Sequence, residues 1–193
     1  MKILGIVLLI ICLLVISFQI YWTITNKSIE QYPYSVLKRY EKFEIRNYES
    51  RLFSSVKLNG NDYKRVSGQG FSMLAGYIFG GNEKNQKISM TSPVSMSLED
   101  SMTMQFMVPK EFNQGNLPQP NNAKIKFVEE PSKKVAAIEF GGWANSEKIK
   151  LYQQKLIQLL EQEGIKHSNK FYFLGYNAPF EMLNRRNEII VEL

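Results

Sequence analysis

Few side chains here can bind metals, move protons or attack carbonyls. There is one histidine, His167, and one cysteine, Cys12. Beyond Cys12 this excludes a disulfide, a thiolate nucleophile and a thiolate-bound metal, and a metal site built from several histidines is impossible. His167 is followed by Ser168, but no G-x-S-x-G turn presents a serine nucleophile. His167 therefore reads as a surface turn residue, the other reading being a metal contact. Gly68, Gly70 and Gly76 lack the G-x-G-x-x-G spacing and no Walker lysine follows, which argues against nucleotide chemistry. Glu83, Glu139, Glu181 and Glu188 are available carboxylates, but sequence alone pairs none of them into an acid–base couple.

What the chain does have is soft and aromatic apolar surface. Met73, Met90, Met96, Met102, Met104, Met107 and Met182 are flexible and polarizable. They suit either an adaptable core or a groove for a flat ligand. Met107 breaks the alternation of its strand and is expected to face outward.

The elements that must position these residues follow from periodicity. Phe43 and Ile45 alternate with charged neighbours, and Leu52–Leu58 continues as a second extended run. A helix is expected over Tyr63–Phe79, with Phe71, Leu74 and Ile78 on one stripe and Gly80-Gly81-Asn82 as its stop. Its three glycines each weaken it by up to about 1 kcal/mol relative to alanine, or let a backbone or flat ligand come close. A long hairpin follows, with Lys87–Leu98 and Met102–Val108 as arms and a turn at Glu99-Asp100-Ser101. After a polar connection at 112–122, strands are expected at Ile125–Glu129 and Val135–Phe140. Asn145 or Ser146 caps a second helix running to Glu163, with Gly164 at its stop. Ile149, Tyr152, Leu156, Leu159 and Leu160 form its buried stripe. Phe171–Gly175 and Asn187–Leu193 close the chain as strands.

Each half thus reads strands, helix, two strands, and weak internal echoes support a repeat. Phe53–Gly60 echoes Val135–Gly142, Met102–Pro109 echoes Arg186–Leu193, and Thr91-Ser-Pro-Val94 echoes Asn177-Ala-Pro-Phe180. The offsets of 82, 84 and 86 residues are nearly equal. The expected architecture is an α+β domain, one antiparallel sheet or open barrel carrying two helices. Its halves span about 36–111 and 123–193, with a ligand groove where they meet.

Before this domain, Ile3–Trp22 is almost wholly apolar and about as long as a bilayer's hydrocarbon core is thick, ~30 Å. Tyr21 and Trp22 end it as interfacial aromatics. No small-x-small cleavage site follows, so an uncleaved single-pass anchor at 3–22 is expected rather than a cleaved signal. Residues 23–35 read as a polar juxtamembrane stalk and 36–193 as the folded domain, placed outside the cytoplasm. The lipid bilayer is thus an expected partner. The net charge of +6 is scattered and no recognition helix, zinc finger or RNP-like stretch is present, so nucleic acid is not expected.

Four motifs together are specific. Phe71-Ser-Met-Leu-Ala-Gly-Tyr-Ile-Phe-Gly-Gly-Asn82, Lys87-Ile-Ser-Met-Thr-Ser-Pro-Val94, Phe140-Gly-Gly-Trp143 and Gly175-Tyr-Asn-Ala-Pro-Phe180 with Arg185-Arg-Asn-Glu188 resemble, in the same order, the SOUL haem-binding protein family. The resemblance covers about Tyr34 to Leu193. It implies a distorted antiparallel β-barrel flanked by two helices, with internal pseudo-twofold symmetry. It also implies haem or another tetrapyrrole, held non-covalently in an apolar groove between the first helix and the loop before the last strand. The matching positions are Phe71, Leu74, Ala75 and Ile78 on the helix and Tyr176, Pro179, Phe180, Met182 and Leu183 on the loop. Arg185 pairs with a propionate on this reading; the alternative is a strand-end ion pair of Arg185-Arg186 with Glu188. The histidine that some family members carry in the N-terminal half is missing. Tyr77, Tyr176, His167 or a groove methionine remain as candidate iron ligands.

These readings converge on a membrane-anchored, non-catalytic carrier or buffer of haem. An enzyme using carboxylate and tyrosine chemistry in the same groove would instead place a buried carboxylate beside a groove tyrosine. An interaction module without haem would show a groove narrowed by side chains or an apolar patch elsewhere.

Overall fold

The computed structural model describes residues 2–25, 29–60, 63–99, 101–178, 181 and 184–193, with the side chains of residues 2, 20, 22–25 and 64 also left out. Alternation of side chains builds a sheet that is apolar on both faces. In β5 (Thr103–Met107) and its flanks, Met102, Met104, Phe106 and Val108 enter one core cluster while Met107 enters another. Met107 therefore does not face solvent; it is only 2% exposed. In β9 (Arg186–Glu192), Ile189 and Val191 enter the first cluster and Ile190 the second. A period of two sends neighbours to opposite faces, so both parities are apolar where both faces are covered.

The other strands are β1 (Tyr34–Arg39), β2 (Glu44–Tyr48), β3 (Arg51–Lys57), β4 (Val94–Ser97), β6 (Ile125–Glu130), β7 (Lys133–Gly141) and β8 (Phe171–Gly175). All pair antiparallel in the order β1-β2-β7-β9-β8-β4-β5-β3-β6. Leaving β1 aside, the order reads the same from either end once β2, β3, β4 and β5 are exchanged for β6, β7, β8 and β9. The repeat is therefore topological, and two of the three echoes, β3 with β7 and β5 with β9, fall on equivalent strands. The third does not. Thr91–Val94 leads into β4, whereas Asn177 and Ala178 follow β8, and Ser92 Oγ reaches across to donate to the Tyr176 carbonyl at 3.3 Å.

Short connections force the sheet to curl. Two residues, Glu49 and Ser50, join β2 to β3, and two more, Pro131 and Ser132, join β6 to β7, although these strands lie towards opposite ends of the order. On the concave face the Tyr32 ring lies 4.5 Å from Tyr48 of β2 and 5.2 Å from Phe53 of β3. The result is a curled half-barrel rather than a closed barrel.

The helices pack on the convex face. α2 (Tyr63–Ile78) lies on β3 and β5, and α3 (Ser146–Gln162) on β7 and β9. Both stop in the same way. Gly80 and Gly164 take positive φ, and Gly81 N donates to Gly76 O while Ile165 N donates to Leu160 O, the Schellman closure. At its start, Asn145 caps α3 by accepting from Lys148 N at 2.8 Å. Gly70 lets α2 approach the sheet: a Cβ there would lie 2.9 Å from Leu58 Cδ1. The expected first hairpin arm is shorter in the structure, β4 spanning Val94–Ser97 alone, with Lys87 making an isolated bridge to Phe79.

At the N-terminus, α1 (Lys2–Thr25) is helical, with apolar side chains from Ile3 to Phe18 exposed. Among the described residues, however, no helix is long and apolar enough to cross a membrane. This overturns the expected single-pass anchor at 3–22, and with it the bilayer contact and the extracytoplasmic placement. Where a polar stalk was expected, Tyr32 is buried in the concave core, and Tyr32 N and Ser92 N bond to Ser92 O and Glu30 O.

Candidate functional site

Because α2 and α3 cover the two flanks of the convex face, the seam strands β4 and β8 between them are left with less cover. A cavity of about 340 Å³ opens there. Its floor is Val94 and Met96 of β4, Phe173 and Gly175 of β8, Met104 of β5 and Asn187 of β9; Tyr63, Ser67, Gly68, Phe71 and Ser72 of α2 form one wall. Trp143, Ala144, Asn177 and Arg185 close the other side. Small-molecule pockets run from about 300 to 1,000 Å³, so this one is at the lower end.

Its walls are locked from behind. The carboxamide of Asn187, 2% exposed, donates to Phe140 O at 3.3 Å and Gly142 O at 2.8 Å. Lys148 Nζ donates to Gly141 O at 2.6 Å. These bonds, with Gly142 at φ +74, set the turn that presents Trp143. On α2, Gly68 faces open space, with no atom within 4 Å of where its Cβ would stand.

Arg185 is the only cation among the described residues of the lining. Its guanidinium stacks 4.0 Å over the Trp143 ring and donates from Nη1 to the carbonyls of Ala178 and Glu181. Its Nε is buried without a hydrogen-bond partner among the described residues. Burial depresses its pKa, opposed by Glu181 and Tyr63. Burial conversely raises the Tyr63 phenol, and Arg185 opposes that rise. Among the described residues lining the cavity there is no carboxylate, histidine or cysteine.

The other face of the same strand holds a different arrangement. Glu188, fully buried, accepts from Arg46 Nη1 at 2.9 Å, from Tyr176 Oη at 2.8 Å, and from Arg186 Nη2 at 2.6 Å. Arg46 also pairs with Glu44 at 2.8 Å, and Arg186 with Glu139 at 3.1 Å. The arginines stack on Tyr34 and Tyr176 at 4.3 and 4.2 Å. Burial, then the neighbouring Tyr48 and Glu188, holds Tyr176 well above its usual pKa, while burial and Glu188 push Tyr48 up to about 12. Burial, the largest single influence, depresses Arg46 and Arg186, but Glu188, the neighbouring tyrosines and their hydrogen bonds together outweigh it and both are raised. The two readings of Arg185-Arg186 thus separate by strand parity. Arg186 makes the ion pair with Glu188, and Arg185 faces the cavity.

Of the residues expected in the groove, Phe71 and Arg185 line the cavity, while Leu74, Ala75 and Ile78 pack into the core beneath α2. Tyr176 packs against the concave cluster. Pro179, Phe180, Met182 and Leu183 lie outside the described residues. Tyr77 is away from this cavity, its hydroxyl donating to Pro118 O at 2.9 Å, and His167 Nδ1 lies 2.6 Å from Ser168 O. No cluster of three metal-binding side chains occurs among the described residues. The buried carboxylate beside a tyrosine exists as Glu188 and Tyr176, but not in the cavity lining. Sequence reasoning passed over Tyr63 and Ser67, had Trp143 only within a motif, and had Gly68 only as one of three glycines that let a backbone or flat ligand come close. Their signal is the spacing of 63, 67 and 71, one helical stripe beside the apolar one.

The Gly-Gly-Asn motif after α2 has a structural role. Asn82 donates to Tyr77 O and Gln86 O and accepts from the amides of Lys84 and Gln86, so every polar atom of its buried side chain is bonded.

Residues 29–192 match the family model described as SOUL heme-binding protein. Heme-binding protein 2 of Mus musculus is 30% identical over 156 residues, covering 76% of each chain. Heme-binding protein 1 of Sus scrofa is 29% identical over 175 residues, covering 84% of this chain and 92% of its own. Among solved structures, the EcmrR C-terminal domain superposes with a TM-score of 0.61 at 12% identity, covering 78% of this chain and 96% of that one. A hydrolase from Listeria innocua reaches a TM-score of 0.52 at 11% identity, over 80% and 93%. At such identities these two likenesses concern the fold alone.

Proposed function

Since this chain belongs to the SOUL heme-binding protein family, we propose that it binds haem or a related tetrapyrrole, non-covalently, in the seam cavity between α2 and the sheet. On this reading it acts as a carrier or buffer rather than a catalyst. The observation that carries the proposal is a cavity walled by Phe71, Met96, Met104, Trp143 and Phe173, with, among the described residues, a single cation whose buried Nε has no partner.

The residues fit such a ligand. A planar macrocycle takes most of its affinity from apolar burial, at about 25 cal/mol per Å². Gly68 leaves room for a flat face against α2. Arg185 supplies a charge-assisted bond to a propionate, and the Trp143 ring holds its guanidinium in place. At about 340 Å³ the cavity takes part of the macrocycle and leaves an edge in solvent.

A haemin titration of the full chain, followed at the Soret band, tests this. Saturation near one equivalent is expected, and Phe71→Asp should weaken uptake by at least about a hundredfold while circular dichroism is unchanged. Arg185→Gln should weaken haemin but not haemin dimethyl ester, which lacks the carboxylates. A titration with no saturable shift would remove haem as the ligand.

A further inference from the structure

We infer that Tyr63 is the axial ligand to ferric iron when haem occupies the seam cavity, an inference that rests on the function proposed above. Among the described lining residues, Tyr63 is the only one with a phenol that can become an anionic oxygen. Its hydroxyl makes no hydrogen bond among the described residues, whereas the phenols of Tyr77, Tyr172 and Tyr176 are each committed to a protein acceptor. The ring is held edge-on to Phe173, centroids 5.2 Å apart, at the first turn of α2. The phenol is thus placed by packing while its oxygen is left unspent.

Arg185 completes the arrangement. Its guanidinium lines the same cavity as the Tyr63 phenol. Burial raises the Tyr63 phenol, and Arg185 opposes that rise without cancelling it. With haem bound, Tyr63 would hold the ferric iron through its deprotonated oxygen, the proton passing to solvent and no electron being transferred. The competing donors are Met96 and Met104 on the floor, neutral thioethers that suit the softer ferrous ion. Tyrosinate is an established haem ligand in other folds.

Resonance Raman spectra of the full chain loaded with haemin, compared with those of Tyr63→Phe, decide the matter. Phenylalanine keeps the contact with Phe173, so the variant should fold. The expected result is a tyrosinate–iron mode in the parent that is absent from Tyr63→Phe. Ferric affinity should fall at least tenfold and ferrous affinity should stay within twofold. Identical ferric spectra in the two proteins would overturn the ligand while leaving the haem site standing. Failure of the parent to bind haemin would overturn both.

Discussion

Arg185 and Arg186 are adjacent in sequence and live in opposite chemical worlds. Arg186 points to the concave face, where Glu188 accepts from it, from Arg46 and from Tyr176, and each arginine finds a second carboxylate and an aromatic ring. Arg185 points to the convex seam, bonds to two backbone carbonyls, and keeps a buried Nε unmatched. A buried charge network whose members are all paired has nothing left to offer a ligand, and it fixes structure. A wall with one incompletely satisfied cation beside apolar surface has something to gain by binding. Between these two arginines, polar satisfaction separates scaffold from site.

The comparison can be broken first at the network. Glu188→Ala should destabilise the fold by about 3–5 kcal/mol, because it leaves the buried Arg46 guanidinium and the half-buried one of Arg186 without their shared acceptor. Haem affinity of the molecules that remain folded should not change. Urea unfolding with a parallel haemin titration reads both, and a large loss of affinity at full stability would place Glu188 in the site instead.

On the pocket side the same change of charge should act in reverse. Arg185→Gln is expected to cost about tenfold in haemin affinity, ~1.4 kcal/mol, with little loss of stability. A Tm lowered as far as that of Glu188→Ala would show that Arg185 is scaffold too.

The concave face carries a second signature, in alkali. Burial raises the phenols of Tyr32, Tyr48, Tyr172 and Tyr176. Unfolded tyrosines titrate near pH 10, so the unfolded chain loses these protons first. Stability is therefore unaffected below about pH 10 and falls above it, by up to about 1.4 kcal/mol per pH unit for each such tyrosine. Denaturation midpoints measured between pH 9 and 11 should turn downward near 10, and Tyr176→Phe should soften the turn.

The smallest effect separates two glycines of one helix. Gly68→Ala places a methyl in open space at the cavity wall, and should stabilise α2 by up to about 1 kcal/mol while weakening haem binding a few-fold. Gly70→Ala meets Leu58 and should destabilise instead. Equal melting shifts for the pair would contradict the packing described.

Much of this fold was legible locally. The alternation in Met102–Val108, the Asn145 cap, the Gly80 and Gly164 stops and the strand at Phe171–Gly175 are short-range patterns, and the elements stand where those patterns put them. The site was less legible. The most apolar stripe of α2, Leu74, Ala75 and Ile78, packs into the core for the same reason that it stands out in the sequence. The cavity wall falls to its plainer neighbours Tyr63, Ser67 and Gly68. Met107 looked like a break in alternation because only one covered face was allowed for, and the curl of the sheet covers both.

The sequence by itself determined both packed helices, most of the strands, their twofold order and the poverty of nucleophiles and metal ligands, since these depend on residue type and on spacings of a few positions; it missed β1 and overextended the arm that became β4. Tertiary structure alone decided that β4 and β8 meet at the seam, that two helices leave a cavity over them, and that Arg185 faces it while Arg186 is spent on Glu188. Those outcomes depend on contacts between residues scores of positions apart, which no local pattern encodes.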